Sequence, residues 1–502
     1  MANSSNDTMG LKASIVIVSI SIAIAAAVIV VSTDFGGSAP DDEGSLNKRA
    51  WSDVWSERYN DGDEQYPARL LVLGNADMND VIDEDDIKII ESLIANGYDY
   101  IEDFMADANY DGLIDSSDIE RTRELIDYNN YNGIAYYFNC GFEIAGYDMS
   151  RPLHTSNILT QTLEMLCILA PESIVAVDDR CSNGDVKGAN PQGTYWKEYA
   201  SILDYSSLGS VGSHKSPNVE RYLQVATEYG DGYLTAIMNA KDAQNTGYME
   251  KMLEGQSRVQ IIRIPSWERG GITNGMLTLG FLIHKFDRAT EWVEWHDGYY
   301  NDIMQKVSEL TEDQRKKVAI SVLGDTDIST LNEFQMNYTT SGEWQGLKRM
   351  GVIDVGGDYI TRHSPGGVAY GAWEVALSKE SFIAMCKEAG GLDYLIGSIP
   401  GPYNVSPINP SKLPAQEYMD KVQDFLNKSC DGTPLQIIGW QYATGPNDLM
   451  YYAMLANVLY DWGYDIEKIV NESLQWMGVY GEGEYQWTFE KIKESSLLPY
   501  DI

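Results

Sequence analysis

Basic residues are scarce in this chain, with 36 Lys and Arg against 75 Asp and Glu, a formal net charge of −39. A surface with this excess of negative charge repels phosphate backbones and anionic lipid headgroups. The composition therefore disfavours nucleic acid and anionic membrane surfaces as partners. It is typical of a solvated acidic surface that meets salt or cations.

Cysteine is scarce as well, and the five residues show no CxxC or CxxxC spacing. They are Cys140, Cys167, Cys181, Cys386 and Cys430. This spacing indicates neither a zinc site nor a dense disulfide framework, and the odd number leaves at least one thiol free. A bridge among the first three stays open for an external compartment, whereas Cys167 lies in an apolar stretch and is expected to be a buried thiol.

The sequence also lacks the common signatures of catalysis. It contains no GxxxxGK phosphate loop, no HExxH, no GxSxG elbow and no GxGxxG fingerprint. Its histidines are too widely spaced to indicate a metal site: His154, His214, His284, His296 and His363. We therefore expect a binding protein and not an enzyme.

One long apolar run stands near the N-terminus. Residues Ala13–Val31 carry no charge and are about as many as a helix needs to cross a bilayer. Lys12 precedes the run and acidic residues follow it, so we expect a single-pass anchor with the rest of the chain outside the cytoplasm. The small residues at Ala25–Ala27 leave a cleaved signal peptide as the alternative.

Two copies of a calcium-type loop follow, GNADMNDVIDEDDI and ADANYDGLIDSSDI. Calcium takes six to eight oxygen ligands, which this spacing of short carboxylates and amides supplies. The first loop has Asn75 instead of Asp at position 1 and Asp80 instead of Gly at position 6, so we expect it to bind more weakly. The predicted ligands of two calcium ions are Asn75, Asp77, Asn79, the Val81 carbonyl, Asp83 and Asp86 in the first loop, and Asp107, Asn109, Asp111, the Leu113 carbonyl, Asp115 and Asp118 in the second.

These loops use Asp at position 12 and have no helix entering them, and in this they resemble the dockerin module. The resemblance implies a small α-helical fold around two calcium ions and a cohesin module as partner. The recognition pairs would be Glu84-Asp85 and Ser116-Ser117, of which the acidic pair departs from the frequent Ser-Thr type. Two roles stay open for the module: partner binding, or a calcium-stapled spacer packed on its own chain.

Helix and strand patterns alternate from about residue 146 to the C-terminus. In the stretch Asp148–Asp179, an exposed turn and a polar HTSN loop lead into an apolar helix and then the β-branched strand Ile174–Val177. Such alternation predicts parallel sheets with helices on both faces and ligand loops at the strand ends.

The order of these segments resembles the substrate-binding proteins of ABC importers, in the class that carries iron-siderophores, haem or cobalamin. That class has two lobes joined by one long helix, performs no catalysis and delivers its ligand to an ABC permease. The segments that carry the resemblance are Leu208–Ala226 with its PNxE helix start, RVQIIRIPSW, the connecting helix Thr273–Leu310, KKVAISVLGD, GAWEVALSKESFIAM and LQIIGWQYATGPNDLMYYAMLANVLY.

The resemblance also implies site residues in loops at strand ends. They suit a metal chelate or macrocycle, with aromatic faces for planar groups and basic side chains for carboxylates or a metal. The predicted ligand-binding residues are His154, Asp179, Arg180, His214, Lys215, Trp267, Asp325 and Tyr442. Glu220 and Glu380, each at a helix start, match the positions that pair with arginines of the permease.

The sequence therefore predicts an α/β protein with two Rossmann-like lobes bridged by a long helix, plus a small dockerin-like module and an N-terminal transmembrane helix. A rival interpretation is a cell-surface scaffold or adhesion protein that recruits a cohesin partner and whose binding-protein fold no longer transports. The predicted segments are 1–33 membrane anchor, 34–67 linker, 68–130 calcium module, 146–272 first lobe, 273–310 connecting helix and 311–502 second lobe.

Overall fold

The computed structural model describes fourteen stretches of the chain. They are residues 47–48, 66–139, 143–182, 185–189, 202–213, 218–239, 252–253, 258–266, 271–322, 332–338, 341–363, 374–399, 415–439 and 445–478. The predicted anchor and most of the predicted linker lie outside these stretches. Within them, no helix is both long and apolar enough to cross a membrane.

The described strands form a mixed α/β architecture with a hairpin and two larger sheets. The strands are β1 Ile134–Phe138, β2 Ile144–Asp148, β3 Thr155–Asn157, β4 Ile174–Asp178, β5 Gly209–Gly212, β6 Leu234–Asn239, β7 Val259–Ile264, β8 Lys317–Val322, β9 Glu333–Asn337, β10 Ile353–Asp354, β11 Glu374–Ser378, β12 Tyr394–Ile399 and β13 Leu435–Gly439. The helices are α1 Glu84–Asn96, α2 Tyr100–Asp103, α3 Ser116–Ile126, α4 Leu159–Leu169, α5 Val219–Glu228, α6 Ile272–Leu282, α7 Phe286–Ser308, α8 Gly342–Arg349, α9 Val355–His363, α10 Lys379–Glu388, α11 Ala415–Ser429, α12 Asp448–Tyr460 and α13 Ile466–Trp476.

Each calcium-type loop runs directly into a helix, and the same cap starts both helices. Asp83 accepts a hydrogen bond from Asp85 N at the start of α1, and Asp86 accepts one from Asp83 N at 2.7 Å. Asp115 and Asp118 repeat this capping box at the start of α3. Acidic side chains also suit the positive end of a helix dipole.

The first lobe is built on a five-stranded sheet in the order β5-β4-β3-β6-β7. Every pairing in it is parallel, as the alternation of helix and strand predicts. The strands are largely buried, which fits a sheet that is covered on both faces. Parallel strands end at one edge, so the loops after β4, β5, β6 and β7 meet there.

The second lobe departs from the all-parallel prediction. Its sheet has the order β11-β9-β8-β12-β13, and β10 also pairs with β8. The pairs β8–β12, β12–β13 and β8–β10 are parallel, whereas β9 is antiparallel to both β8 and β11. Within the segment GAWEVALSKESFIAM, Glu374–Ser378 forms the edge strand β11, and the helix that carries Glu380 begins at Lys379.

The predicted connecting helix at 273–310 is in fact two helices, and the single helix was wrong. All eleven residues of α6 are buried, and the chain turns at Ile283–Lys285 before α7 begins. His284 at this turn has a φ of 57°. Its ring nitrogens lie 2.9 Å from the Tyr128 carbonyl and 3.1 Å from the Met149 carbonyl. Apolar periodicity continues across the turn, so the sequence pattern does not reveal it.

The calcium-type module packs on the body of its own chain. Leu70 and Leu125 of the module share one buried cluster with Leu277 of α6, Trp292 of α7 and Leu455 of α12. Burial of apolar surface is the main favourable term in such packing. The module is therefore joined to the core between the lobes and does not stand apart as a bead on a linker.

Polar contacts fasten the same interface. Leu71 N donates to Thr278 Oγ1 at 3.1 Å, and the Asn274 side chain donates to the Ala68 carbonyl at 2.7 Å. Leu71 also accepts a backbone hydrogen bond from Phe138 N, so the start of the module pairs with β1. Of the two roles left open by the sequence, these contacts favour the spacer packed on its own chain.

Candidate functional site

The second calcium-type loop turns its carboxylates inward. Asp107 at position 1 accepts hydrogen bonds from Gly112 N at 2.8 Å and Asp111 N at 3.0 Å. Asp118 at position 12 accepts one from Asn109 N at 3.1 Å. Gly112 has a φ of 98°, a conformation that glycine adopts without strain. The loop therefore wraps around its own oxygens, as a cation site requires.

The first loop repeats part of this arrangement. Asp86 at position 12 accepts a hydrogen bond from Asp77 N at 3.0 Å. The amide nitrogen of Asn75 donates to the Leu70 and Asn79 carbonyls, both at 2.8 Å. The amide oxygen of Asn75 is buried and has no hydrogen-bond partner. A buried acceptor left in this state is costly, and a cation in the loop would satisfy it.

Three loop carboxylates are completely buried: Asp86, Asp107 and Asp118 each have 0% exposure. Desolvation by burial raises the pKa of Asp86 and Asp107 from 3.8 to about 6, and that of Asp118 from 3.8 to about 7. Hydrogen bonds received by these carboxylates oppose the shift without cancelling it. Across the described residues, none of the three carboxylates forms an ion pair with Lys, Arg or His. A bound cation would relieve this burial of charge.

In the described stretches, no three His, Cys, Asp or Glu side chains gather closely enough to hold a metal ion. The predicted calcium ligands also include Asn amides and the backbone carbonyls of Val81 and Leu113. Calcium binding by the twelve predicted residues therefore stays a prediction.

Asp80, at position 6 of the first loop, contributes to the interface between the module and the body of the chain. Asp80 has no positive φ, unlike Gly112 at the equivalent position, so an ordinary side chain is tolerated there. The Asp80 carboxylate lies 2.8 Å from Arg69 Nε. The Arg69 guanidinium also donates a hydrogen bond to Thr273 Oγ1 at the start of α6, at 2.7 Å. It forms an ion pair with Asp297 of α7, at 2.6 Å.

The charged contacts continue into the core. His296 of α7 is 3% exposed, and its ring nitrogens lie 2.9 Å from Asp448 and 3.2 Å from Asp297. Burial alone would lower the pKa of His296, but the two carboxylates raise it to about 9. The imidazole also stacks on Trp292 and Tyr300. His296 is thus held between two carboxylates in the core, which its spacing in the sequence did not indicate.

A cavity of about 200 Å³ lies beside this chain of charges. It is lined by Arg69 from the module, Ile272 and Thr273 from the start of α6, His296, Asp297, Tyr300 and Asn301 from α7, Arg349 from α8, and Asp448 from α12. Residues of the module, the connecting segment and the second lobe therefore meet at one polar cavity.

The carboxyl edge of the first-lobe sheet holds a second polar group. Asp179 follows β4 and accepts a hydrogen bond from Ser210 of β5 at 2.7 Å. Arg180 is next to it and half-buried. Arg263 near the end of β7 is 2% exposed and donates to the Asn239 carbonyl at the end of β6, at 2.9 Å. Asp179 and Arg180 thus lie at the predicted edge.

His154 does not lie at that edge, and its predicted place was wrong. The HTSN segment is not a loop ahead of the helix, because Thr155–Asn157 is the buried central strand β3. His154 precedes this strand, and its carbonyl accepts a hydrogen bond from Thr235 N. The ring lies 3.9 Å from Asp231, which precedes β6. His154 therefore sits at the amino edge, opposite the loops that follow the strands.

The other predicted ligand residues, His214, Lys215, Trp267, Asp325 and Tyr442, lie outside the described stretches. Arg263 and Asn239 were not foreseen, because a charged residue in an apolar strand carries no periodic signal. Arg69, Asp297 and Asp448 were missed for a different reason. Acidic residues are so frequent in this chain that no single carboxylate stands out by its neighbours.

The two predicted docking residues occupy matching positions. Glu220 is exposed in the first turn of α5, where its N–H donates to the Asn218 side chain at 2.9 Å. Glu380 is exposed in the first turn of α10, which Ser378 caps. Each lobe thus presents one glutamate at a helix start.

No family model matches the chain, and no curated protein matches it. Among solved structures, it is similar to an ABC transporter solute binding protein from Sulfurospirillum deleyianum DSM 6946, at 16% identity and a TM-score of 0.48 over 72% of this chain and 99% of that one. It is similar to the TroA-like periplasmic binding protein FepB from Veillonella parvula, at 14% identity and a TM-score of 0.48 over 66% and 93% of the two chains.

A periplasmic heme binding protein from Pseudomonas aeruginosa is also similar, at 14% identity and a TM-score of 0.40 over 62% of this chain and 95% of that one. These neighbours are solute-binding proteins of ABC transporters or of the periplasm. At such identities and TM-scores, the likeness decides neither the family nor the ligand of this chain.

Proposed function

We propose that this chain is an extracytoplasmic solute-binding protein that captures a metal chelate for an ABC importer and catalyses no reaction. The supporting observation is the arrangement of two α/β lobes on either side of α7, with polar residues at the carboxyl edge of the first-lobe sheet. Ligands of open α/β sheets bind beyond the carboxyl ends of the strands. The ordered sequence segments described above point to the same class.

The ligand we propose is an iron-siderophore, haem or corrinoid-type chelate. Asp179 and Arg180 lie at the edge where such a ligand would bind. The hydrogen bond from Arg263 to the Asn239 carbonyl joins the ends of β7 and β6 at the same edge. An arginine in this place suits the carboxylate or phosphate groups that such chelates carry. His214, Lys215, Trp267, Asp325 and Tyr442 belong to the same proposal through their positions in the sequence.

We propose further that the module binds two calcium ions and braces the junction between the lobes. Three buried carboxylates, none of which forms an ion pair with a basic side chain among the described residues, support the ions, and the shared buried cluster supports the brace. A module that served only to recruit a cohesin partner would not need these contacts with α6 and α7. Among the described residues, no contact of this kind supports the rival scaffold role. The anchor at Ala13–Val31 completes the proposal by placing the lobes outside the cytoplasm.

Native mass spectrometry of the full chain, purified in detergent from its own cells, tests this function. The expected spectrum contains a fraction with the added mass of one chelate and of two calcium ions. Titration with a ferric siderophore, haem and cobalamin should then quench the tryptophan fluorescence of the ligand-free protein for one of the three. A spectrum of ligand-free protein together with no response to any of the three chelates would refute the chelate-binding function.

A further inference from the structure

Two buried cysteines meet in the second lobe. Cys386 lies on α10, Cys430 directly follows α11, and each is 3% exposed. Both belong to one apolar cluster that also contains Leu392 and Phe425. In the sequence these two residues are far apart and carry no signal of pairing.

Hydrogen bonds hold the turns around the two cysteines together. Thr433 Oγ1 donates to the Cys430 carbonyl at 2.7 Å and to the Leu392 carbonyl at 3.5 Å. Gly391 N donates to the Cys386 carbonyl at 2.9 Å. The strands that follow these turns, β12 and β13, are paired in parallel. The two helix ends are therefore fixed side by side by the backbone.

The two side chains also interact, and this interaction raises the pKa of Cys386 and lowers the pKa of Cys430. Thiolate is the form that attacks a disulfide, so Cys430 is the better nucleophile of the two. Cys167 and Cys181, the other buried cysteines that the structure describes, lie in the first-lobe core and not beside this pair.

We propose that Cys386 and Cys430 form an oxidation site that closes to a disulfide, with an external disulfide of the glutathione type as oxidant. The Cys430 thiolate attacks one sulfur of the oxidant, whose S–S bond breaks and releases one thiolate. The Cys386 thiolate then attacks the Cys430 sulfur, the protein disulfide forms and the second thiolate leaves. The protein thiols lose two electrons and two protons, and the two released thiolates take up the protons.

The bridge would tie α10, the helix that carries Glu380, to the turn that leads into β13. Because both sulfurs are buried in the folded protein, we expect exchange with the oxidant in a late folding intermediate, in which the two thiols already meet while the oxidant still reaches them. A compartment outside the cytoplasm favours such a bond. The site does not depend on which ligand the lobes bind, so its test is separate from the test of the proposed function.

The test is refolding of the full chain from denaturant in two buffers, one with reduced and oxidised glutathione and one with dithiothreitol. Free thiols are then alkylated in denaturant and counted by intact mass. After refolding with glutathione, two of the five cysteines should resist alkylation, and digestion should release one peptide pair joined through Cys386 and Cys430. Alkylation of all five cysteines in both buffers, or a bridge to any other cysteine, would overturn the proposal.

Single variants provide the control. In Cys386→Ala and in Cys430→Ala, the remaining partner should become open to alkylation. Cys167→Ala removes a thiol that is equally buried, at 3% exposure, and should keep the bridge. Loss of protected thiols in Cys167→Ala, with the bridge retained in Cys386→Ala, would contradict the assignment.

Discussion

At the scale of single residues, the carboxylates of the calcium-type loops are the most informative feature of the chain. Their spacing could be read directly from the sequence, because the ligand positions of such loops lie close together in the chain. Their burial could not be predicted from the sequence. Asp86 and Asp118 are fully covered in the folded protein, and each also accepts a hydrogen bond at the start of a helix.

The raised pKa of Asp118 gives a prediction about pH. The pKa in the folded protein, about 7, lies above the ordinary 3.8, so the folded state holds this proton more tightly than the unfolded chain does. Stability from this source is complete below about pH 4 and is lost as the pH rises through about 7. Without calcium, we therefore expect the thermal midpoint to fall between about pH 5 and about pH 8, as measured by circular dichroism.

Calcium should reverse this trend, because it binds the ionised carboxylate and stabilises the folded state. Asp118→Asn should flatten the decline in chelator and should weaken the response to calcium. Asp231→Asn changes a carboxylate that is 93% exposed and should behave like the wild type in both buffers. The same decline with pH in Asp118→Asn as in the wild type would contradict the assignment of the slope to this residue.

At the scale of elements, the contact between the first calcium loop and α7 is the feature that sequence reasoning could not reach. Arg69 joins Asp80 to Asp297, and these residues are far apart in the chain. The module was recognisable from its repeats, but a repeat does not show what it packs against. The break in the connecting helix was hidden for a similar reason, since His284 at this break contacts the Tyr128 and Met149 carbonyls, which lie far away in the sequence.

Arg69→Gln tests this contact. The change leaves Asp297, whose carboxylate is 22% exposed, without its nearest cation, so we expect a loss of about 1–3 kcal/mol in the free energy of unfolding. Urea unfolding of the full chain measures it. Lys88→Gln breaks an ion pair in which both side chains are well exposed, and the free energy of unfolding should not change measurably. Equal losses in the two variants would show that Arg69 does not brace the module.

At the scale of the whole molecule, the sequence predicted a larger part of the fold than of the site. Alternating apolar helices and β-branched strands were sufficient to predict the parallel first lobe and most strands of the second. The antiparallel strand β9 was not predicted, because strand direction depends on partners distant in the chain. The site was harder to predict. The HTSN segment was expected to be a loop, but Thr155–Asn157 form the central strand β3, and His154 therefore lies at the opposite edge of the sheet.

The docking role proposed for Glu220 and Glu380 belongs to this scale, because it would require both lobes at once. Each residue alone would be explained by its place in the first turn of a helix, where a carboxylate gains roughly 0.3–1 kcal/mol from the helix dipole. Docking on a two-fold permease requires more, since the two charges must face arginines on both halves. Charge reversal would bring like charges together and cost several kcal/mol in association.

Uptake of the chelate by the source cells is therefore the most direct test of the importer function. Cells that lack this protein would carry the wild type, Glu220→Arg, Glu380→Arg or the double variant, each checked for folding and for ligand affinity in purified form. We predict that all four proteins fold and bind the chelate equally, while the double variant loses uptake by about tenfold or more. Uptake by the double variant at the wild-type rate, with the chelate still bound, would contradict delivery to an ABC importer.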